Sequence, residues 1–185
     1  MTKPILLLVD DDRLALTALR RSLHSADYRI LDTTDPADAV RILTIEPVDV
    51  IVSDVEMPGM TGLELMEIAR HVRPLAVRML VTGVATLEAA TRAINEGEVH
   101  RFVHKPYDPT ILRGIVEDAL ARQAELAAAS EASRHIDRRA MLRDRLEGEH
   151  PGITTVTRDA DGAHVIDEAR ARNIAPSIGL AELLR

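Results

Sequence analysis

Short apolar runs alternate with amphipathic stretches five times between Ile5 and about Ala129, and this alternation strongly restricts the possible folds. A short run of branched and aliphatic residues suits a strand that is buried on both faces. A stretch with apolar residues three and four positions apart suits a helix that covers a sheet. Strands that alternate with helices form parallel sheets, so the sequence predicts an α/β protein with a (βα)5 doubly wound parallel sheet.

The predicted elements follow from these runs and from local start signals. Asp35-Pro36 and Asp108-Pro109 each place a capping side chain before a proline at the first helical position, and Asp12 is expected to cap the first helix. The fourth helix is predicted from the spacing of Leu87, Ala90, Ala93 and Ile94. The predicted strands are residues 5–9, 28–32, 48–53, 77–82 and 99–103.

The helical pattern that begins at Pro109 continues as far as Leu146. An unbroken helix of about 38 residues would be about 55 Å long, which is more than a compact domain can cover. We therefore predict a domain at 1–125, a helical extension at 126–147 and a tail at 148–185. Because Ser130, Ser133 and Asp137 interrupt the apolar seam, a coiled-coil dimer and a helical hairpin that folds back both stay open.

The tail is predicted to contain a β-hairpin, with strands at 153–158 and 163–166 and a turn at 159–162. Residues 157–168 match part of the spacing of a calcium-binding EF-hand loop. A strand-like stretch precedes this loop where an EF-hand has a helix, and the first ligand position holds Thr157. The hairpin turn is therefore the favoured interpretation.

Composition excludes several classes of protein. The net charge is -7, the chain has no cysteine, and it has one phenylalanine, two tyrosines and no tryptophan. A surface built for nucleic-acid binding usually carries clustered positive charge or stacking aromatic residues, so nucleic-acid binding is not expected. The apolar runs are far shorter than a membrane span of about 20 residues. These features predict a cytoplasmic protein that is not in the membrane and has neither disulfides nor thiolate metal sites.

Polar residues follow the predicted strands at the positions where open α/β sheets bind ligands. Asp10 and Asp11 follow the first strand, Asp54 the third, Thr82 ends the fourth and Lys105 follows the fifth. Carboxylates that meet in one cleft repel each other unless a cation is present, and oxygen ligands suit Mg2+. A lysine at the same edge pairs with the remaining negative charge and with phosphoryl oxygens.

Four motifs, in this order, resemble the receiver domain of bacterial two-component response regulators, over residues 1 to about 125. This family has a flavodoxin-like fold. The motifs are residues 6–12 (LLLVDDD), 52–62 (VSDVEMPGMTG), 81–83 (VTG) and 102–106 (FVHKP).

The resemblance implies that Asp54 is the phosphoacceptor and receives its phosphoryl group from a sensor histidine kinase or a phosphotransfer protein. It implies that Mg2+ is the cofactor, with Thr82 and Lys105 binding phosphoryl oxygens, and that Thr82 and Phe102 form the switch. Such a protein is a signalling switch, with Mg-dependent self-phosphorylation and autodephosphorylation as its only chemistry. The implied Mg2+ ligands are the side chains of Asp10, Asp11 and Asp54, with Asp10 acting through water, and the backbone carbonyl of Glu56.

The output of the chain is less restricted by its sequence. We expect a response regulator without a recognised output domain that signals through a homodimer formed by the C-terminal helix or through an unknown downstream protein. A DNA-binding transcriptional regulator is an alternative, although residues 126–185 have no clear helix-turn-helix spacing. A stand-alone phosphoryl relay is another. An enzyme in the tail is a further alternative, although the tail has no nucleophile-base pair.

Overall fold

The computed structural model describes residues 3–25, 27–83, 99–149, 151, 157–158 and 164–165. Five strands are β1 (Ile5–Val9), β2 (Arg29–Thr33), β3 (Val50–Asp54), β4 (Val77–Thr82) and β5 (Arg101–His104). They form one sheet in the order β2-β1-β3-β4-β5, and every pair is parallel. The predicted α/β class and the doubly wound parallel sheet are confirmed.

Helices α1 (Arg13–Ser22), α2 (Pro36–Ile45) and α3 (Gly62–Val72) connect the first four strands, and α4 (Pro109–Glu149) follows β5. The fourth helix of the sequence pattern, predicted from Leu87 to Ile94, lies outside the described residues. The helix labelled α4 is therefore the fifth helix of the predicted pattern.

The predicted helix caps are present. Asp12, Asp35 and Asp108 accept hydrogen bonds from backbone N–H groups in the first turns of α1, α2 and α4, at 2.7, 2.8 and 2.7 Å. Helix α3 begins with a capping box, in which the hydroxyl of Thr61 and the carboxylate of Glu64 each bind the other residue's backbone N–H. These local bonds satisfy amides that a helix leaves unpaired, and they fix where each helix begins.

The sheet has a core on each side, because successive side chains of a strand leave opposite faces. Leu6 and Leu8 of β1 pack with residues of α1 and α4, and we call this cluster the α1–α4 core. Leu7 and Val9 pack with residues of α2 and α3, in the α2–α3 core. Burial on both faces explains why β1, β3 and β4 are nearly continuous in apolar residues.

Strands β1 and β4 have the predicted bounds, whereas β2, β3 and β5 begin and end later than predicted. Strand β3 begins at Val50, two residues later than predicted, and the N–H of Val48 donates to the nearby carbonyl of Glu46 at 2.8 Å. At its other end β3 includes Asp54, which pairs in register with Val81. A polar residue can extend a strand when a neighbouring strand supplies the register partner.

The chain divides into two compact units, Met1–Ala129 and Ser130–Arg185. In the first unit, the buried residues of α4 are Leu112, Val116 and Ala119. In the second unit, β6 (Thr157–Arg158) and β7 (His164–Val165) form an antiparallel pair, as the predicted hairpin requires. The turn of this hairpin, with most of the partial EF-hand pattern, lies outside the described residues.

Helix α4 ends at Glu149, two residues beyond the predicted helical extension at 126–147. Within the described part of the chain, no helix combines the length and the apolar character needed to cross a membrane.

Candidate functional site

The carboxyl ends of the inner strands meet at one edge of the sheet because all five strands run in the same direction. The register pairs Val9 with Ser53 and Thr82 with His104. Asp10, Asp54, Thr82 and Lys105 end or directly follow these strands, so they come to the same edge. Ligands of open α/β sheets bind at such an edge, next to the point where the strand order reverses.

Lys105 connects the two acidic strand ends. Its Nζ donates a hydrogen bond to Oδ1 of Asp54 at 2.7 Å and another to Oδ2 of Asp10 at 3.1 Å. The side chains of Asp10 and Asp54 are 6% and 12% exposed, whereas that of Lys105 is 31% exposed. Two enclosed carboxylates beside one ammonium leave an excess of negative charge, which favours a second cation.

The pKa values of this group follow from the same contacts. Burial raises the pKa of the Asp10 carboxyl, although hydrogen bonds from Lys105 and from the N–H of Asp12 lower it in part. Burial alone would lower the pKa of the Lys105 ammonium, but its hydrogen bonds to Asp54 and Asp10 outweigh burial and raise it. Lys105 is therefore a permanent cation near neutral pH, and Asp10 is a carboxylate whose ionised form is disfavoured by its surroundings.

The backbone and carboxylate of Asp54 are held by three neighbours. The buried hydroxyl of Ser53 donates to the carbonyl oxygen of Asp54 at 2.8 Å, and the N–H of Glu56 donates to Oδ2 of Asp54 at 3.1 Å. Gly62 lies so close that a Cβ built on it would be 2.0 Å from the Asp54 carbonyl oxygen. Only glycine allows this approach, so α3 is packed directly against the end of β3.

Thr82 and Phe102 lie on the two neighbouring strands. Thr82 is buried at the end of β4, and its carbonyl accepts the N–H of Lys105 at 2.8 Å. Phe102 on β5 is half-buried and packs against the α2–α3 core, and its register partner is Leu80. Thr82 is therefore at the site edge, while Phe102 lies two positions before the end of β5.

The remaining predicted site residues, Asp11 and Glu56, are exposed. Asp11 directly follows the buried Asp10, and Glu56 approaches Asp54 through its backbone N–H. The structure thus brings together Asp10, Asp54 and Lys105 by direct contact and places Thr82 beside them.

The residues of this site lie within the part of the chain that matches a known protein family. The model for the response regulator receiver domain matches residues 6–117, which is more than half of the chain. This chain belongs to the response regulator receiver family. The match includes all four receiver motifs, and the family consists of signalling switches of two-component systems.

The curated relatives of this receiver are longer proteins. The hydrogenase transcriptional regulatory protein HoxA of Cupriavidus necator is 33% identical over 117 residues, which are 63% of this chain and 24% of HoxA. The chain thus spans about a quarter of the length of the curated relatives that it matches.

Solved structures that are similar to the receiver include the two that follow. A structure named as adenylate cyclase from Rhodopirellula baltica has 31% identity and a TM-score of 0.67, and the match covers 71% of this chain and 98% of that one. The signal receiver domain of an HD domain-containing protein from Pseudomonas fluorescens has 32% identity and a TM-score of 0.63, over 66% of this chain and 98% of that one. Family membership therefore establishes the receiver and leaves its output open.

The donor groups of the receiver site suit Mg2+, which receiver domains generally bind at the phosphorylation site. Asp10 and Asp54 each place a carboxylate oxygen within 3.1 Å of one Nζ, and hard oxygen donors are what Mg2+ prefers. Within the described residues, no three acidic or histidine side chains are clustered as a ready metal site. The full set of predicted ligands, with Asp11 and the carbonyl of Glu56, stays a prediction.

Two residues near the receiver site have importance that the motifs do not convey. Gly62 belongs to the second motif, but its close approach to Asp54 is a property of the packed structure. Tyr107 is half-buried against the α1–α4 core, two residues after Lys105. The available signal for Tyr107 was its rarity, because the chain has three aromatic residues and this one directly follows the Lys105-Pro106 pair.

Proposed function

We propose that this protein is a phosphorylation-controlled response regulator whose phosphoacceptor is Asp54. The observation that carries the proposal is the contact of the Lys105 ammonium with both Asp54 and Asp10 at the carboxyl edge of the sheet. A phosphoryl group on Asp54 would replace a carboxylate oxygen as the partner of this ammonium. The match to the receiver family supports the assignment.

The phosphoryl donor is proposed to be a phosphohistidine of a sensor histidine kinase or of a phosphotransfer protein. An oxygen of Asp54 attacks the phosphorus in line with the departing imidazole nitrogen, and the P–N bond breaks as the P–O bond forms. Such a transfer needs positioning and neutralisation of charge on the three equatorial oxygens. The N–H of Glu56 orients the attacking carboxylate, while Lys105 and the hydroxyl of Thr82 bind phosphoryl oxygens.

We assign the Mg2+ ligands to Asp10, Asp11, Asp54 and the carbonyl of Glu56, with Asp10 acting through water. Bound Mg2+ supplies positive charge to the phosphoryl oxygens. The enclosed, electrostatically disfavoured carboxylate of Asp10 supports this assignment, because a nearby cation favours its ionised form. Self-phosphorylation and autodephosphorylation at this site belong to the proposal.

The switch is proposed to pass from Thr82 to Phe102. As the hydroxyl of Thr82 turns toward the phosphoryl group, space opens on the same face of the sheet, and the half-buried ring of Phe102 turns into it. This movement changes the surface formed by the predicted fourth helix, β5 and α4. A local change of charge is thereby converted into a change of surface.

Residues 126–185 are proposed to carry the output, as a helical extension at 126–147 and a tail at 148–185, after a receiver at 1–125. Ile136, Met141 and Leu142 support partner contact, because these large apolar side chains are 67%, 74% and 55% exposed. At about 100° per residue they lie on different sides of the helix. This distribution favours contact with several elements of a second copy or of a downstream protein over a simple two-helix seam.

A DNA-binding transcriptional regulator is the second candidate. The names of curated relatives such as HoxA favour it, since they describe transcriptional regulatory proteins. The net charge of -7 argues against it, because phosphate contacts need clustered positive charge. A cytoplasmic location is part of either candidate and is consistent with the absence of cysteine.

The single phenylalanine provides a direct test. The full chain labelled with fluorophenylalanine gives one ¹⁹F resonance, from Phe102. Beryllofluoride with Mg2+, which stands in for the phosphoryl group, is expected to shift this resonance in the wild type and to leave it unchanged in Asp54→Asn. A resonance that does not respond in the wild type, or that responds equally in both proteins, would contradict the proposal.

Light scattering after size exclusion on the same samples tests the output. A mass that doubles with beryllofluoride in the wild type, and stays constant in Asp54→Asn, is expected if phosphorylation drives dimerisation. A constant dimer would show that the signal is read from a changed surface. A constant monomer would refute the proposed homodimer and favour a phosphoryl relay or an adaptor.

A further inference from the structure

The loop between β5 and α4 holds a tyrosine, Tyr107, two residues after Lys105. We propose that the hydroxyl of Tyr107 is a further phosphoryl-binding group, which donates a hydrogen bond to an oxygen of the phosphoryl group on Asp54. This inference rests on the proposed function of Asp54. It adds a neutral donor to the positive charge of Lys105 and the hydroxyl of Thr82.

The position of Tyr107 is determined by the anchors on both sides of it. On one side, the backbone N–H of Lys105 donates to the carbonyl of Thr82 at 2.8 Å, and its Nζ binds Asp54. On the other side, Asp108 caps α4 by accepting the N–H of Thr110 at 2.7 Å. Pro106 and Tyr107 are the residues between these anchors, so the loop has little freedom to carry Tyr107 away from the site.

The Tyr107 ring is half-buried against the α1–α4 core, but its hydroxyl has no hydrogen-bond partner among the described residues. The other tyrosine differs in this respect, since the buried hydroxyl of Tyr28 donates to the carbonyl of Leu23. Tyrosine hydroxyls that are partly enclosed usually find a partner. The donor of Tyr107 is therefore available to a group that arrives at the site.

The charges around Tyr107 favour this role. Burial raises the pKa of Tyr107, the charges of Asp10 and Asp54 raise it further, and that of Lys105 opposes them. These three charged groups are those of the proposed phosphoryl site. A protonated phenol has one O–H to donate, and the phosphoryl group adds negative charge and acceptor oxygens next to it.

Two measurements on the full chain test the inference. Labelling with 3-fluorotyrosine gives two ¹⁹F resonances, from Tyr28 and Tyr107, and the Tyr107→Phe variant assigns them. Beryllofluoride with Mg2+ is expected to shift the Tyr107 resonance and to leave that of Tyr28 in place. Calorimetric titration is expected to show beryllofluoride binding that is about three- to tenfold weaker in Tyr107→Phe, the effect of one hydrogen bond.

Matched variants separate the hydroxyl from the ring and the site from the fold. Tyr28→Phe, which removes a hydroxyl bonded elsewhere, should bind beryllofluoride as tightly as the wild type does. Equal affinity of Tyr107→Phe and the wild type would overturn the inference, and a loss confined to Tyr107→Leu would overturn it too, because the ring alone would then matter. If the wild type and Asp54→Asn bind alike, the proposed function of Asp54 fails, and the inference fails with it.

Discussion

Replacement of Gly62 by alanine tests how closely α3 packs against β3, the strand that ends at Asp54. The added Cβ would lie 2.0 Å from the carbonyl oxygen of Asp54 and 2.9 Å from Cδ2 of Leu80. Real Cβ atoms essentially never come within 3.0 Å of such neighbours. The tip of Leu80 can rotate away, but the carbonyl of Asp54 belongs to the backbone and is held by Ser53. Either β3 or α3 must therefore move by about 1 Å.

Overpacking of a folded core costs about 1 to 3 kcal/mol, and a clash with backbone belongs at the upper end of this range. We expect the free energy of unfolding to fall by about 3 kcal/mol in Gly62→Ala. With a urea dependence of about 2 kcal/mol per molar, the unfolding midpoint should fall by about 1.5 M. Binding of beryllofluoride should weaken as well, because the displaced carbonyl belongs to Asp54.

Gly114 in α4 offers a matched control. A Cβ built on Gly114 has nothing within 4 Å, so alanine fits there without strain. Alanine in a helix is favoured over glycine by about 1 kcal/mol, and the midpoint of Gly114→Ala should rise by about 0.5 M urea. The same substitution is thus expected to act with opposite signs at the two positions.

Urea unfolding followed by far-ultraviolet circular dichroism measures both variants against the wild type. A midpoint of Gly62→Ala equal to that of the wild type would refute the close packing of α3 on β3. Equal losses in Gly62→Ala and Gly114→Ala would refute the steric reasoning, because the penalty would then not depend on the neighbours of the added methyl group.

Two further predictions concern Asp10 and Arg113. Asp10→Asn should raise the urea midpoint of the metal-free protein at pH 7, because folding raises the pKa of the Asp10 carboxyl and its ionised form therefore opposes folding. This gain should vanish as the pH falls toward 3.8, the ordinary pKa of an aspartate. A gain that is independent of pH would contradict this assignment. Arg113→Ala should cost about 1 kcal/mol, since Nε and Nη2 of Arg113 donate to the Ser22 carbonyl at 3.2 and 2.9 Å and satisfy the end of α1. The control is Arg122→Ala, which removes an exposed ion pair with Glu125 and should change stability by less than about 0.5 kcal/mol in the same urea assay. Equal losses of stability in Arg113→Ala and Arg122→Ala would refute the capping role of Arg113.

Patterns in the sequence that depend on neighbouring residues predicted much of the fold. The bounds of β1 and β4 follow from apolar runs, and the starts of α1, α2 and α4 follow from the caps Asp12, Asp35 and Asp108. These features are local, because a run of apolar side chains or a capping carboxylate acts within a few residues.

The site was predictable in part for a topological reason. All strands of a parallel sheet end at one edge, so the residues after them must meet there, and Asp10, Asp54 and Lys105 were expected at that edge before any distance was known. The family motifs gave these residues roles that composition and spacing alone did not supply. The output of residues 126–185 was not predictable in the same way, because an interrupted apolar seam is compatible with more than one partner.

By itself, the sequence determined the α/β class, the helix starts and the edge at which function would lie, since each depends on local chemistry or on strand direction. Tertiary structure alone decided that the ammonium of Lys105 contacts both Asp54 and Asp10, although Asp10 is 95 residues from Lys105 in sequence. It also decided that Gly62 meets the carbonyl of Asp54 and that the Tyr107 hydroxyl is left without a partner among the described residues. These features depend on distances between elements, and such distances are set by how side chains fill the space between the sheet and its helices.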